Sequence, residues 1–180
     1  MTRFMTTACL TLVASALLAT LAVDVSSAAP PIGTAKARGD YSNKFWGSAG
    51  GRSVSHARDY SRGYQNYARQ APTVAPPLAQ HEAAGVGQNI TAAQKQFTEL
   101  RKTTTDKQAL TSLDAIDKQL AVAAKAHAKM HEMCHMDEID AEGTMKCCQD
   151  VDAALEKVMA EHKELMKRLA GEPVASPVSK

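Results

Sequence analysis

The sequence predicts an all-α protein, an antiparallel three-helix bundle preceded by a signal peptide and a disordered linker. Three observations carry that reading. Apolar residues recur every three or four positions from the late seventies to Leu169, the helical period. The polar breaks between these runs are short, which favours antiparallel neighbours. The chain also opens on the pattern of an export leader.

The leader occupies residues 1–28. A basic start with Arg3 is followed by an apolar run from Phe4 to Val23 and then by the small residues Ser26, Ser27, Ala28 and Ala29, in the order of n-region, h-region and cleavage site. The run approaches the roughly 20 residues of a membrane span. Asp24 and the small-residue tract nonetheless place cleavage after Ala28. No retained membrane span is expected, Cys9 is discarded with the leader, and the product is secreted or periplasmic. About 150 residues then remain, enough for one domain.

Residues 29–76 read as a disordered, basic tether. They contain Gly, Ser, Arg, Tyr and Pro without apolar periodicity and end in Ala71-Pro72-Thr73-Val74-Ala75-Pro76. Such a stretch lacks the apolar area to offset its ordering entropy. Seven basic residues stand there against Asp40 and Asp59, whereas residues 77–180 hold 13 basic and 16 acidic residues. A basic arm on an acidic body is either a solvated linker or an arm for an anionic envelope polymer. No nucleic-acid motif accompanies it.

The bundle is assigned to residues 77–171 and a disordered tail to 172–180. The first helix carries Val86, Ile90, Ala93, Phe97 and Leu100 and stops at Thr103-Thr104-Thr105. Asp106 caps the next, whose face holds Ala109, Leu113, Ile116, Leu120, Ala123, His127, Met130 and Cys134. The acidic loop 137–143 precedes a third helix from about Thr144, with Cys148, Val151, Leu155, Val158, His162, Leu165 and Leu169. Gly171 and Pro173 end it. At about 1.5 Å per residue, Cys148 comes level with residue 132 across the last turn.

That register gathers the residues able to carry chemistry. After the leader, every methionine and cysteine falls between residues 130 and 166. His127, His131 and His135 form an i, i+4, i+8 series, and Met130 and Cys134 a second i, i+4 pair. With Cys147 and Cys148 they make a candidate metal set: His127, Met130, His131, Cys134, His135, Cys147 and Cys148. Thioether and thiolate donors mixed with imidazole select Cu(I), whereas zinc gains little from Met. Copper is therefore the expected ion, with zinc second. The competing explanation is that Met fills an aromatic-poor core and that the cysteines form a staple. Cys147 and Cys148 are too close to bridge each other, so Cys134 to Cys148, with Cys147 as the second choice, is the natural disulfide across the hairpin.

The segments His127-x-x-Met130, Met133-x-x-Met136 and Met159-x-x-His162 resemble the H-x-x-M and M-x-x-H ligand pairs of periplasmic silver- and copper-binding resistance proteins. The resemblance implies sequestration or handoff of Cu(I) or Ag(I). By the length arithmetic, Met159 and His162 lie too far along to share an ion with Cys134. His131-Glu132-Met133-Cys134-His135 also spells H-E-x-x-H, a zinc metalloprotease motif. Charged Lys129 and Asp137 flank it, no strand-forming segment exists to hold an extended substrate, and a third ligand would have to come from Glu156 or Glu161. The expectation is therefore a non-enzymatic, exported, soft-metal-binding protein. The alternatives are a disulfide-stapled helical adaptor of the cell envelope and, behind it, a zinc metalloprotease.

Overall fold

Helix ends in this chain are fixed by local chemistry that the sequence carries openly. In the computed structural model, which describes residues 35–171, the Asp106 carboxylate accepts from the backbone N–H groups of Gln108 and Ala109 at 2.7 and 3.2 Å. It starts α3 (Lys107–Cys134) by satisfying two donors that have no partner inside the helix. Asp140 does the same for α4 (Ala141–Ala170), accepting from Gly143 N–H at 3.0 Å. Pro76 and Pro77 open α2 (Pro76–Thr103), where the missing N–H costs nothing. Gly171 closes α4 in the left-handed conformation, with φ 77°, as helix-ending glycines do. These are the three helices that the spacing predicts. The leader assigned to residues 1–28 and the tail assigned to 172–180 lie outside the described residues.

The correction is a fourth helix. Among the described residues the fold is all-helical with four helices, not three, because α1 (Ala35–Gln70) occupies most of the segment expected to be a tether. Its seam explains why. Gly47, Gly50, Val54, Ala57, Ser61, Tyr64 and Ala68 are all buried, spaced three and four apart as in a heptad seam. Only Val54 and Tyr64 among them have side chains larger than Ser, so a scan for apolar bulk sees nothing. The bulk comes from the partners. A Cβ placed on Gly50 would lie 2.6 Å from two ring carbons of Phe97 in α2, and one on Gly47 would lie 2.7 Å from the Met166 sulfur in α4. Glycine costs about 1 kcal/mol relative to Ala inside a helix, so α1 is helical because it is packed.

Connections of a few residues (71–75, 104–106 and 135–140) turn the chain back each time. α1 packs on α2 and α4, and α3 packs on the same two helices, giving an antiparallel four-helix bundle. The long core includes Val54, Phe97, Leu113, Leu120, Leu155 and Leu165. A second buried cluster lies at the end where the α1–α2 and α3–α4 connections meet, and it consists of Tyr64, Ala68, Ala79, Ala83, Met130, Cys134 and Cys148. Two arginines of the basic segment are used internally. Arg58 and Arg62 grip Asp152 of α4 at 2.9 and 3.2 Å.

Candidate metal centre

The short α3–α4 connection fixes which turns of the two helices face each other, and the sulfur atoms follow from that register. Cys148 Sγ lies 3.4 Å from Met130 Sδ. One helical step away, Cys147 Sγ lies 4.0 Å from Met133 Sδ. Met130, Cys134 and Cys148 are each 0% exposed, while Met133 and Cys147 are half-buried. The division is geometric. Successive helix residues are turned by about 100°, so Cys147 and Cys148 cannot share one direction.

α1 closes the buried group from above. Ser61 Oγ donates to the Cys148 carbonyl at 3.1 Å, and Tyr64 Oη lies 2.7 Å from Thr144 Oγ1. Thr144 spends its own proton on the carbonyls of Asp140 and Ala141, so Tyr64 is the donor to Thr144. Cys134 packs in the same buried cluster as Tyr64. Desolvation disfavours every charged form here. Burial pushes Cys148 up to about 12 and Tyr64 likewise to about 12. Burial also raises Cys134, against the opposing effect of the Tyr64 hydroxyl. For Cys147 burial again comes first, with the Asp150 charge adding to it. All four groups are neutral near pH 7.

The structure divides the sequence-predicted set. It brings Met130, Cys134 and Cys148 together, with Cys147 beside them. It turns the histidines elsewhere. His127 donates through Nε2–H to the Ala83 carbonyl of α2 at 2.8 Å, lying over Gly87, where any Cβ would strike the ring. Burial lowers its pKa below the ordinary imidazole value. His131 and His135 are exposed, their rings stacked with centroids 4.2 Å apart. His135 Nδ1–H donates to the His131 carbonyl at 2.9 Å, which leaves its Nε2 facing water. Among the described residues, no group of three His, Cys, Asp or Glu side chains is placed to hold an ion. A centre at this end would therefore have to count thioether sulfur. The bridge expected between Cys134 and Cys148 is not formed, and Cys134, Cys147 and Cys148 are free thiols. Cys148 Sγ instead faces the Met130 sulfur.

Among the described residues, no third His, Cys, Asp or Glu joins His131 and His135 of the H-E-x-x-H segment. His131 lines a groove between α2 and α3 with Gly87 and His127, whereas Glu156 lines another beside Arg58 and His162. The Met159-x-x-His162 pair lies along that α1-facing side of α4. There His162 Nε2–H donates to the Gly47 carbonyl at 2.9 Å and the ring sits beside Phe97.

What the sulfur pairs can do follows from bond lengths. With a metal–sulfur bond near 2.3 Å, two sulfurs 3.4 Å apart subtend about 95° at the ion and two sulfurs 4.0 Å apart about 120°. Both pairs are near the separation that two ligands of one soft ion adopt. Sequence reasoning missed Ser61, Tyr64 and Thr144, which organise the thiols. Two of them belong to α1, and their signal was the three-four spacing of small residues. Comparison with protein-family models, with curated proteins and with solved structures finds no match to this chain.

Proposed function

We propose that this is an exported, non-enzymatic helical protein that binds a soft metal ion, Cu(I) foremost, for sequestration or handoff, with Met130, Cys134 and Cys148 as ligands. The observation that carries this reading is the 3.4 Å approach of the Cys148 thiol to the Met130 thioether, inside a fully buried cluster that also holds Cys134. Thioether and thiolate donors match a soft monovalent ion and offer little to Mg or Ca. Two thiolates around Cu(I) leave one net negative charge, a smaller burden in a dry site than two unpaired thiolates. The histidines are set aside as ligands here. His127 is engaged with a backbone carbonyl, and His131 and His135 face solvent. Export rests on the leader pattern of residues 1–28.

The test is competition against a Cu(I) chelator under reducing conditions, with helicity checked by circular dichroism. The intact protein should hold Cu(I) at least about tenfold more tightly than Cys134→Ser with Cys148→Ser, a difference of roughly 1.4 kcal/mol. His131→Ala with His135→Ala should leave affinity within about threefold. Equal affinity for wild type and the thiol variant would leave the second reading, a helical adaptor of the cell envelope. One observation favours that reading: the same sulfurs also pack as ordinary core against Tyr64, Ala79 and Ala83.

A further inference from the structure

The sulfur residues form two pairs with different access. Cys148 and Met130 are wholly buried, out of reach of any carrier arriving through water. Cys147 and Met133 belong to the same two helices, one residue from Cys148 and three from Met130, but are half-buried and open at the α3–α4 surface. Met133 is given room to lie there by Gly143, because a Cβ at that position would collide with the Met133 methyl group. The outer pair is spaced at 4.0 Å, wide enough for an ion between its sulfurs without rearrangement, by the bond-length argument above.

Resting on the soft-metal reading, we infer that Cys147 and Met133 form a separate, solvent-accessible acceptor site that passes Cu(I) to the buried Met130, Cys134 and Cys148 site. In the first step Cys147 sulfur bonds the Cu(I) presented by a carrier, its S–H proton leaves to water and the carrier's ligand departs. In the second, Cys148 sulfur bonds the ion and the Cys147–Cu bond breaks, with the Cys148 proton moving to Cys147 sulfur. Cys134 sulfur then bonds the ion as the second thiolate and its S–H proton leaves to water, so the second step releases one proton while copper stays monovalent throughout. Cys147 and Cys148 are sequence neighbours, about 3.8 Å apart at Cα, so the ion shifts by one side chain. Met133 and Met130 lie about 4.5 Å apart along the helix axis, which lets the thioether change in the same movement.

The experiment loads the intact reduced protein from a coloured Cu(I)–chelator complex and follows both the rate of transfer and the final partition. Cys147→Ser with Met133→Leu should slow loading at least about tenfold, the signature of a lost low-barrier path, with the final partition within about threefold of wild type. Gly143→Ala, whose Cβ would meet both the Met133 methyl group and the Asp140 carboxylate that caps α4, should slow loading by less, with helicity checked by circular dichroism. Mild alkylation of Cys147 in the folded wild type should reproduce the slow rate without any change of sequence. An unchanged rate in the double variant overturns the relay and leaves the buried site standing. A partition that falls as far as in Cys148→Ser also overturns it, because all five sulfurs would then act as one site. Failure of wild type to take copper from the chelator overturns both readings.

Discussion

Gly50 measures how closely α1 is seated. Replacing it by Ala adds one carbon 2.6 Å from Cε1 and Cζ of Phe97 and 2.9 Å from Cδ1. That ring is 1% exposed and flanked by His162 with centroids 6.0 Å apart, so it has little room to retreat. Ordinary carbon contacts begin near 3.5 Å, and the ring or the helix must give by close to an ångström. Overpacking of this kind costs about 1–3 kcal/mol, against a gain of about 1 kcal/mol from replacing Gly in a helix. Gly39 lies on the same helix, and outside its own stretch of helix no heavy atom of the described residues comes within 4 Å of the added carbon, so Gly39→Ala should show the gain alone. The two variants should therefore differ by about 1–3 kcal/mol, read by thermal denaturation as a Tm separation of roughly 3–12 °C. A Gly50→Ala protein stabilised as much as Gly39→Ala would refute the close approach and with it the account of α1 as a packed small-residue helix.

A chain beginning near Pro76 should lose cooperative unfolding, because Phe97, Cys148 and the Ala79–Ala83 face lose their α1 cover; calorimetry that still shows a sharp transition would contradict the four-helix core. Burial holds His127 and His162 below the ordinary imidazole range, so the unfolded chain binds protons more readily, and stability should be full above about pH 6.5 and fall as pH drops through the lowered values; melts at pH 7.5 and 4.5 should show this slope, and His127→Gln with His162→Gln should flatten it. Cys148 and Tyr64 are displaced the other way, both up to about 12, so the stability they contribute is present below their unfolded values near 8.5 and 10 and should fade as pH rises towards 12; a Tm independent of pH from 8 to 11 would show that these groups are not buried as described. Peptide mapping after brief alkylation of the folded protein should find Cys147 modified well before Cys134 and Cys148, whose thiols are wholly covered.

What the sequence determined by itself was local. Asp106, Pro76, Asp140 and Gly171 act on their own helix ends, so α2, α3 and α4 can be read from residue type and spacing. The short α3–α4 connection sets the register, and with it the meeting of Cys148 with Met130. Tertiary structure decided the rest. The helicity of Ala35–Gln70 depends on Phe97, His162 and Met166 filling the space over Gly47, Gly50 and Gly51, and those residues stand far away in sequence. A glycine-rich seam has no apolar bulk of its own, so periodicity could not reveal it. The direction of each ligand candidate was likewise set by helix rotation. Met130 and His131 are neighbours turned by about 100°, and packing of α3 between α2 and α4 sends the sulfur inward and the imidazole to water. Spacing brings donors to the same end of a bundle, whereas only the packed neighbours decide which of them face one another.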